Sequence, residues 1–441
     1  AGAVGYERQT GRPVVFHAKA VVLATGGIGK AWRVTSNSWE YTGDGIAMAL
    51  GAGAELINME MTQFHPTGMV WPLSVRGLLV TEGVRGDGGT LKNNKGERFM
   101  FNYIPPFFAA ETADNEKEAD AWYADKKNNR RTPDLLPRDE VARAINAEVK
   151  AGRGTEHGGV FLDIASRRPA DYIKKRLPSM YHQFMQLAGV DITKEPMEIA
   201  PTYHYLMGGI KVDPDSQQST LPGLFAAGEC AAGLHGANRL GGNSLSDLVV
   251  FGRRAGLYAA EYAKRLARMP MLDDAQVQAA ERDLSAPLAR HEGENPYAIQ
   301  SELQDTMQTL VGIIRTKSEL EQAVVRLDAL AMRAERAATK GGRTYNPSWH
   351  TALDIRSQLV CAMTVAKSAL TREESRGGHT REDFPKADAA WGKKIVVTRK
   401  RGDGIEIGIE PTAEVPAELQ ALLGEDKPAG TAAVGATAGG A

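Results

Sequence analysis

The sequence predicts an α/β domain that is interrupted by an inserted domain and followed by a bundle of helices. Three observations predict it. Two short apolar runs, "KAVVLATGG" at 19–27 and "LPGLFAAGECAAG" at 221–233, end in glycine turns, as the strands of an α/β layer do. The sequence between them is of another kind, turn-rich at "RGDGGTLKNNKGERFM" and strongly charged over 111–136. From Leu272 onward, apolar residues recur at helical spacing. A chain of 441 residues is also too long for one core, so two or three domains are expected.

Residues 1–60 open on a hairpin pattern, "VGYERQTGRPVVFHAK", followed by the first apolar run and by "TGDGIAMALGAGAE", a glycine-rich turn feeding a helix. Residues 61–196 are the insert, and 197–270 return to the α/β domain. There "HGANRLGGNSLSDLVVFG" sets an arginine, Arg239, before a Gly-Gly turn and a helix start. Ser244 and Asp247 have the form of a capping box, and Leu245, Leu248, Val249 and Gly252 follow at helical spacing. Free N–H groups and the positive end of the helix dipole would attract negative charge at this spot. Residues 271–390 carry three stripes: Leu303, Met307, Leu310 and Ile314; Leu320, Val324, Leu327 and Ala331; Leu359, Met363, Ala366 and Leu370. Ser318 and Glu321 suggest a capping box for the second helix. Residues 391–441 form a C-terminal segment whose small-residue tail from Lys427 reads as disordered.

Lys and Arg number 53 against 54 Asp and Glu, so nothing points to nucleic acid or to strong membrane electrostatics. No apolar run approaches the length of a spanning helix. Cys230 and Cys361 offer neither a disulfide framework nor a metal-ligand cluster.

Five clusters gather ionisable groups, four of them with glycine. They are "TQFHPTG" with His65, "LLVTEGVRGDGG" with Thr81, Glu82 and Arg85, "LLPRDEVARAI" with Arg138 and Arg143, "PTYHYLMGGI" with His204, and the stretch with Arg239. Singly, each admits a plain structural explanation: a turn histidine, a surface ion pair, a helix N-terminus after Pro137. Together they suit a dianion, because arginine binds carboxylates bidentately while histidine and threonine supply directional donors. No serine or cysteine nucleophile has a suitable motif, and no Cys/His pair has zinc spacing.

As an ordered set, "TGDG", "QFHPTG", "TEGVRGDGG", "PRDEVAR", "HYLMGGI", "GLFAAGECA", "NRLGGNSLSDLVVFGR" and "ESRGGHTREDFP" resemble the flavoprotein subunit of succinate dehydrogenase and fumarate reductase, from about Val21 to about Pro385. The resemblance implies an FAD-binding, Rossmann-like domain, an inserted α+β capping domain that closes over a dicarboxylate, and a C-terminal helical bundle. It implies that His65 and Thr81 bind one substrate carboxylate and that His204 and Arg239 bind the other. Arg138 corresponds to the arginine that exchanges a proton with substrate carbon, fed through Glu82 and Arg85. Thr25, Gly26, Asp44, Glu229, Ser244 and Leu245 correspond to FAD-contacting positions. The expected partners are membrane anchor subunits binding quinone and an iron–sulfur subunit. The expected location is peripheral, on the cytoplasmic or matrix face of an energy-conserving membrane.

The resemblance has departures. The G-x-G-x-x-G phosphate loop and the histidine that carries FAD covalently are expected upstream of Ala1, and "GGIGKA" at 26–31 lacks the third glycine. L-Aspartate oxidase ranks second, because its version of the fifth cluster usually lacks the second glycine of "NRLGGNS". A non-catalytic scaffold ranks third, since a scaffold has no use for buried arginines.

Overall fold

The computed structural model of the chain describes residues 2–402 and 404–423. The low-complexity tail from Lys427 lies outside them. Gly2–Tyr6 and Pro13–His17 form the expected antiparallel hairpin. The two apolar runs become strands Val21–Leu23 and Leu224–Ala226, and they pair in parallel, Val21 opposite Leu224. This pairing joins the two ends of the interrupted domain across the insert. A five-stranded sheet lies beside it, in the order Ala231–Ala232, Gly209–Lys211, Leu56–Ile57, Lys394–Arg401, Gly404–Pro411. The last two strands belong to the C-terminal segment that the sequence set apart. Buried Val396 and Val397 tie them to this sheet.

The insert has a core of its own, which includes Leu91, Ile145, Val160, Leu162, Met197 and Ile199, so its sheet takes in the strand Met197–Leu206, beyond the end at 196 that the sequence suggested. Its four strands run in the order Thr62–Met69, Met197–Leu206, Val160–Asp163, Thr90–Lys92. The charged stretch at 111–134 contributes the helix Glu116–Ala124, capped by the Asn115 side chain. Arg98 fastens it by reaching Asp120 at 2.9 Å and Asp134 at 2.8 Å.

The three stripes lie on helices Pro296–Leu310, Lys317–Ala334 and Pro347–Thr371. Ile314 falls beyond the first of them. The capping box of the second is Thr316 with Glu319, not Ser318 with Glu321. Two overlapping S/T-x-x-E patterns occur here, and the helix begins early enough to use the first, leaving Ser318 inside its first turn. These helices share one core with Ile46 and Leu50 of the helix Asp44–Ala52, so the bundle is built onto the α/β domain. Leu303 is fully buried in that core. Leu303→Ala is expected to destabilise the protein by about 2–5 kcal/mol, read as a lowered thermal midpoint.

Candidate active site

All eight residues of Thr62–Met69 are buried, although Thr62, Gln63, His65 and Thr67 are polar. A polar strand can be buried only if its side chains find partners. Each of the four does. Irregularities in the pairing with Met197–Leu206, next to Gln63 and after His65, bring His65 and His204 together with ring centroids 5.2 Å apart. His65 Nδ1 lies 3.1 Å from the Thr67 carbonyl oxygen and 3.2 Å from its N–H, while His204 Nδ1 lies 2.8 Å from Ser36 Oγ. In each ring the Nδ1 side is held and Nε2 is left for a ligand.

Both histidines are neutral at pH 7. Burial, then Arg138, then the other histidine push His65 well below its ordinary value, and burial, Arg239 and Arg138 push His204 down to about 3. The unfolded chain therefore binds protons that the folded chain does not, from the ordinary value of 6.5 down to about 3. In that window stability rises with pH and is lost on acidification. His204→Gln is expected to flatten the dependence of the thermal midpoint on pH over this range.

Arg239 is 4% exposed, yet among the described residues no carboxylate lies within salt-bridge distance of it. Its Nη2 donates to Gln63 Oε1 at 3.0 Å, its guanidinium lies 4.2 Å from the centroid of the Tyr205 ring, and its Nε has no partner among the described residues. Burial and the nearby Arg138 lower its pKa. Tyr205, Glu229 and Asp247 act the other way; the direct contacts are with neutral groups, and the positive charge remains available to an anion.

Arg138 is the first residue of the helix Arg138–Lys150, and its Nε donates to Glu82 Oε2 at 2.9 Å. The same carboxylate oxygen lies 3.9 Å from Arg85 Nη2. Burial alone would raise the Glu82 pKa, but Arg85 and Arg138 hold it below the usual range. Arg85 is buried, donates to the Asp134 carbonyl oxygen at 2.6 Å, and is lowered mainly by burial. The Gly-Gly turn has two separate reasons. A Cβ on Gly241 would fall 3.1 Å from Arg138 Nη2, and Gly242 takes a left-handed φ of 84° as the residue before the helix Asn243–Arg265. That helix has no side-chain cap, so Ser244 and Asp247 do not form the expected box. Asp247 instead turns inward, 3.4 Å from the Tyr205 hydroxyl that donates to it.

Arg138, Glu82, Arg85, His65, His204 and Arg239 thus face one region. Thr81 is exposed at its margin, after Val80, whose N–H donates to the Thr67 carbonyl. Among the described residues no hydrogen bond joins Thr81 to His65. Gln63, Ser36, Tyr205 and Asn238 support the site and were not singled out from sequence. The one available signal was Gln63, two residues from His65 and so on the same face of a strand.

Thr25, Gly26, Asp44 and Glu229 gather where the parallel strands Val21–Leu23 and Leu224–Ala226 end. This is where open α/β sheets bind dinucleotides. The backbone there is bare by necessity. A Cβ on Gly27 would fall 2.1 Å from Glu229 Oε1, and one on Gly45 would fall 2.1 Å from Thr25 Oγ1. Asp44 begins the helix Asp44–Ala52 and accepts from the Thr42 hydroxyl at 2.5 Å. Glu229 accepts from the Leu206 N–H at 3.0 Å and is pushed up to about 8 by burial. Ser244 is half-buried and Leu245 is 68% exposed on the first turn of the next helix. Donors, acceptors and exposed apolar surface in one place fit a flavin dinucleotide.

Comparison with known proteins gives two family matches. The FAD binding domain family matches residues 1–245, and the fumarate reductase flavoprotein C-terminal family matches 300–421. A fumarate reductase (CoM/CoB) subunit of Methanothermobacter marburgensis is 43% identical over 399 residues, 90% of this chain and 67% of the relative. The succinate dehydrogenase flavoprotein subunit of Coxiella burnetii is 38% identical over 415 residues, 90% of this chain and 65% of the relative. Among solved structures, Mycobacterium smegmatis Sdh1 in complex with UQ1 superimposes with a TM-score of 0.79 at 58% identity, covering 94% of this chain and 65% of that one. A quinol-fumarate reductase with menaquinol molecules gives 0.84 at 34% identity, covering 94% and 70%. The chain spans about two-thirds of the length of the relatives it matches. On the strength of both family matches and of relatives aligned along nine-tenths of its length, the chain belongs to the FAD-dependent flavoprotein family of succinate dehydrogenases and fumarate reductases.

Proposed function

We propose that the protein interconverts succinate and fumarate. The observation that carries this reading is a buried arginine, Arg239, whose direct contacts are the neutral Gln63 and Tyr205 and which is set near two neutral histidines and an arginine–glutamate pair. His204 and Arg239 hold one carboxylate; His65 and Thr81 hold the other. Clamping both ends fixes the two central carbons, which converts a difficult encounter into a positioned one. Thr25, Gly26, Asp44, Glu229, Ser244 and Leu245 would hold FAD, which would supply the hydride chemistry.

Arg138 exchanges the proton with the carbon next to the one that exchanges hydride. A guanidinium is a very weak acid in water. Here positive charges crowd one another, and Arg138 is among the causes that lower both Arg85 and Arg239. Glu82, ionised between Arg138 and Arg85, can return the proton.

No helix among the described residues is long and apolar enough to cross a membrane. We place the protein peripherally, on an iron–sulfur subunit that passes electrons to membrane anchors and quinone. The test is anaerobic mixing of the FAD-loaded enzyme with succinate and, separately, with L-aspartate. Succinate should bleach the flavin absorbance. Bleaching by L-aspartate alone would replace this reading with an aspartate oxidase, and bleaching by neither would favour a scaffold.

A further inference from the structure

Arg239 and Arg138 stand on different elements, the loop before Asn243–Arg265 and the start of Arg138–Lys150, and a chain of side-chain hydrogen bonds joins those elements. Arg239 Nη2 donates to Gln63 Oε1 at 3.0 Å. Gln63 Nε2 donates to Asn238 Oδ1 at 2.8 Å and to the Arg239 carbonyl oxygen at 2.7 Å. Asn238 Nδ2 then donates to Asp139 Oδ1 at 2.8 Å. The other Asp139 oxygen accepts from Arg143 Nη2 at 3.1 Å, one helical turn along.

The chain has one direction. Because Gln63 offers its oxygen to a guanidinium, which can only donate, its nitrogen must donate, and both of its contacts are oxygens. Asn238 is then fixed the same way, since flipping either carboxamide would set donor against donor.

We infer that Gln63, Asn238 and Asp139 are positioning residues that set the carboxylate-binding Arg239 and the proton-exchanging Arg138 in register with one another. The inference rests on the function proposed above. Two features give the chain its importance. Among the described residues Arg239 has a single side-chain hydrogen bond and no carboxylate within salt-bridge distance, so Gln63 is its hydrogen-bonding anchor, beside the Tyr205 ring. A carboxamide anchors without neutralising, which leaves the positive charge for substrate. At the other end, Asp139 immediately follows Arg138, so the Asn238 contact holds the first turn of the helix against the Arg239 loop. A displacement of about 1 Å between reacting groups can cost on the order of 10²-fold in rate.

The two ends of the chain should fail differently, and the FAD-loaded enzyme reads both, per bound flavin. Malonate affinity, titrated by the visible spectrum of the oxidised enzyme, reports Arg239; succinate turnover reports both arginines. Gln63→Leu is expected to weaken malonate binding by about tenfold or more. Asp139→Ala should leave malonate affinity within roughly threefold while kcat falls about tenfold or more. Asp139→Asn, whose oxygen still accepts from Asn238, should restore most of that kcat. Should Gln63→Leu fail to retain flavin, Asn238→Leu breaks the same chain at a half-buried position and should lower kcat.

Wild-type values per flavin in Gln63→Leu and Asp139→Ala would overturn the inference, as would an Asp139→Asn enzyme as slow as Asp139→Ala. A wild-type enzyme that succinate does not bleach would overturn the proposed function instead, and the chain's role with it.

Discussion

Replacing Arg138 with glutamine is expected to lower turnover by about 10²–10⁴-fold, the scale of general acid–base catalysis, while malonate affinity changes little. Glutamine keeps a donor for Glu82 and is short enough to clear Gly241, where Arg138 Nη2 now comes within 3.1 Å of an added Cβ. What it removes is the exchangeable guanidinium proton. Binding should survive because the proposed carboxylate ligands His65, Thr81, His204 and Arg239 come from other elements. Glu82→Gln should act in the same direction by removing the charge that returns the proton. The measurement is steady-state turnover beside malonate titration. Near-normal turnover in Arg138→Gln would reduce this residue to the first turn of a helix, and its loss should then show as reduced stability.

Arg239→Ala should behave in the opposite way, weakening malonate and slowing turnover together. Removing one partner of a desolvated charged pair costs about 2–5 kcal/mol, so affinity should fall by roughly 30- to 4,000-fold. Stability provides the control. Arg239 is buried and lowered by burial first, so the folded protein carries a desolvated cation without a carboxylate partner among the described residues. Deleting such a charge removes a desolvation cost, and the thermal midpoint of Arg239→Ala should not fall. A lowered midpoint with unchanged malonate affinity would make Arg239 structural.

Arg138 and Arg239 could be singled out from the sequence because ionisable groups in stretches bounded by glycine or proline are a poor choice for a core, and five such clusters in one order are hard to explain otherwise. The capping boxes were not legible. Ser244 with Asp247 satisfied the local pattern, but Asp247 is drawn inward toward Tyr205, and Gly242 in a left-handed conformation begins the helix. At Thr316 two overlapping patterns competed, and only the register of the helix in the shared core chose between them. Leu245, Leu248 and Val249 follow the helical spacing of a packed stripe, yet their side chains are 68%, 53% and 72% exposed.

By itself the sequence determined the element types, the interruption of an α/β domain by an insert, and the chemical inventory of the site. All of these follow from periodicity, glycine placement and residue type, which are properties of neighbours along the chain. Tertiary structure alone decided that the C-terminal hairpin closes the sheet of Leu56–Ile57, and that Gln63, on a buried strand of the insert, anchors an arginine far away in sequence. It also decided that His204 stays neutral down to about 3. These outcomes depend on which distant groups share a desolvated space, because hydrogen-bond satisfaction and charge repulsion in a buried site act between elements that local spacing does not relate.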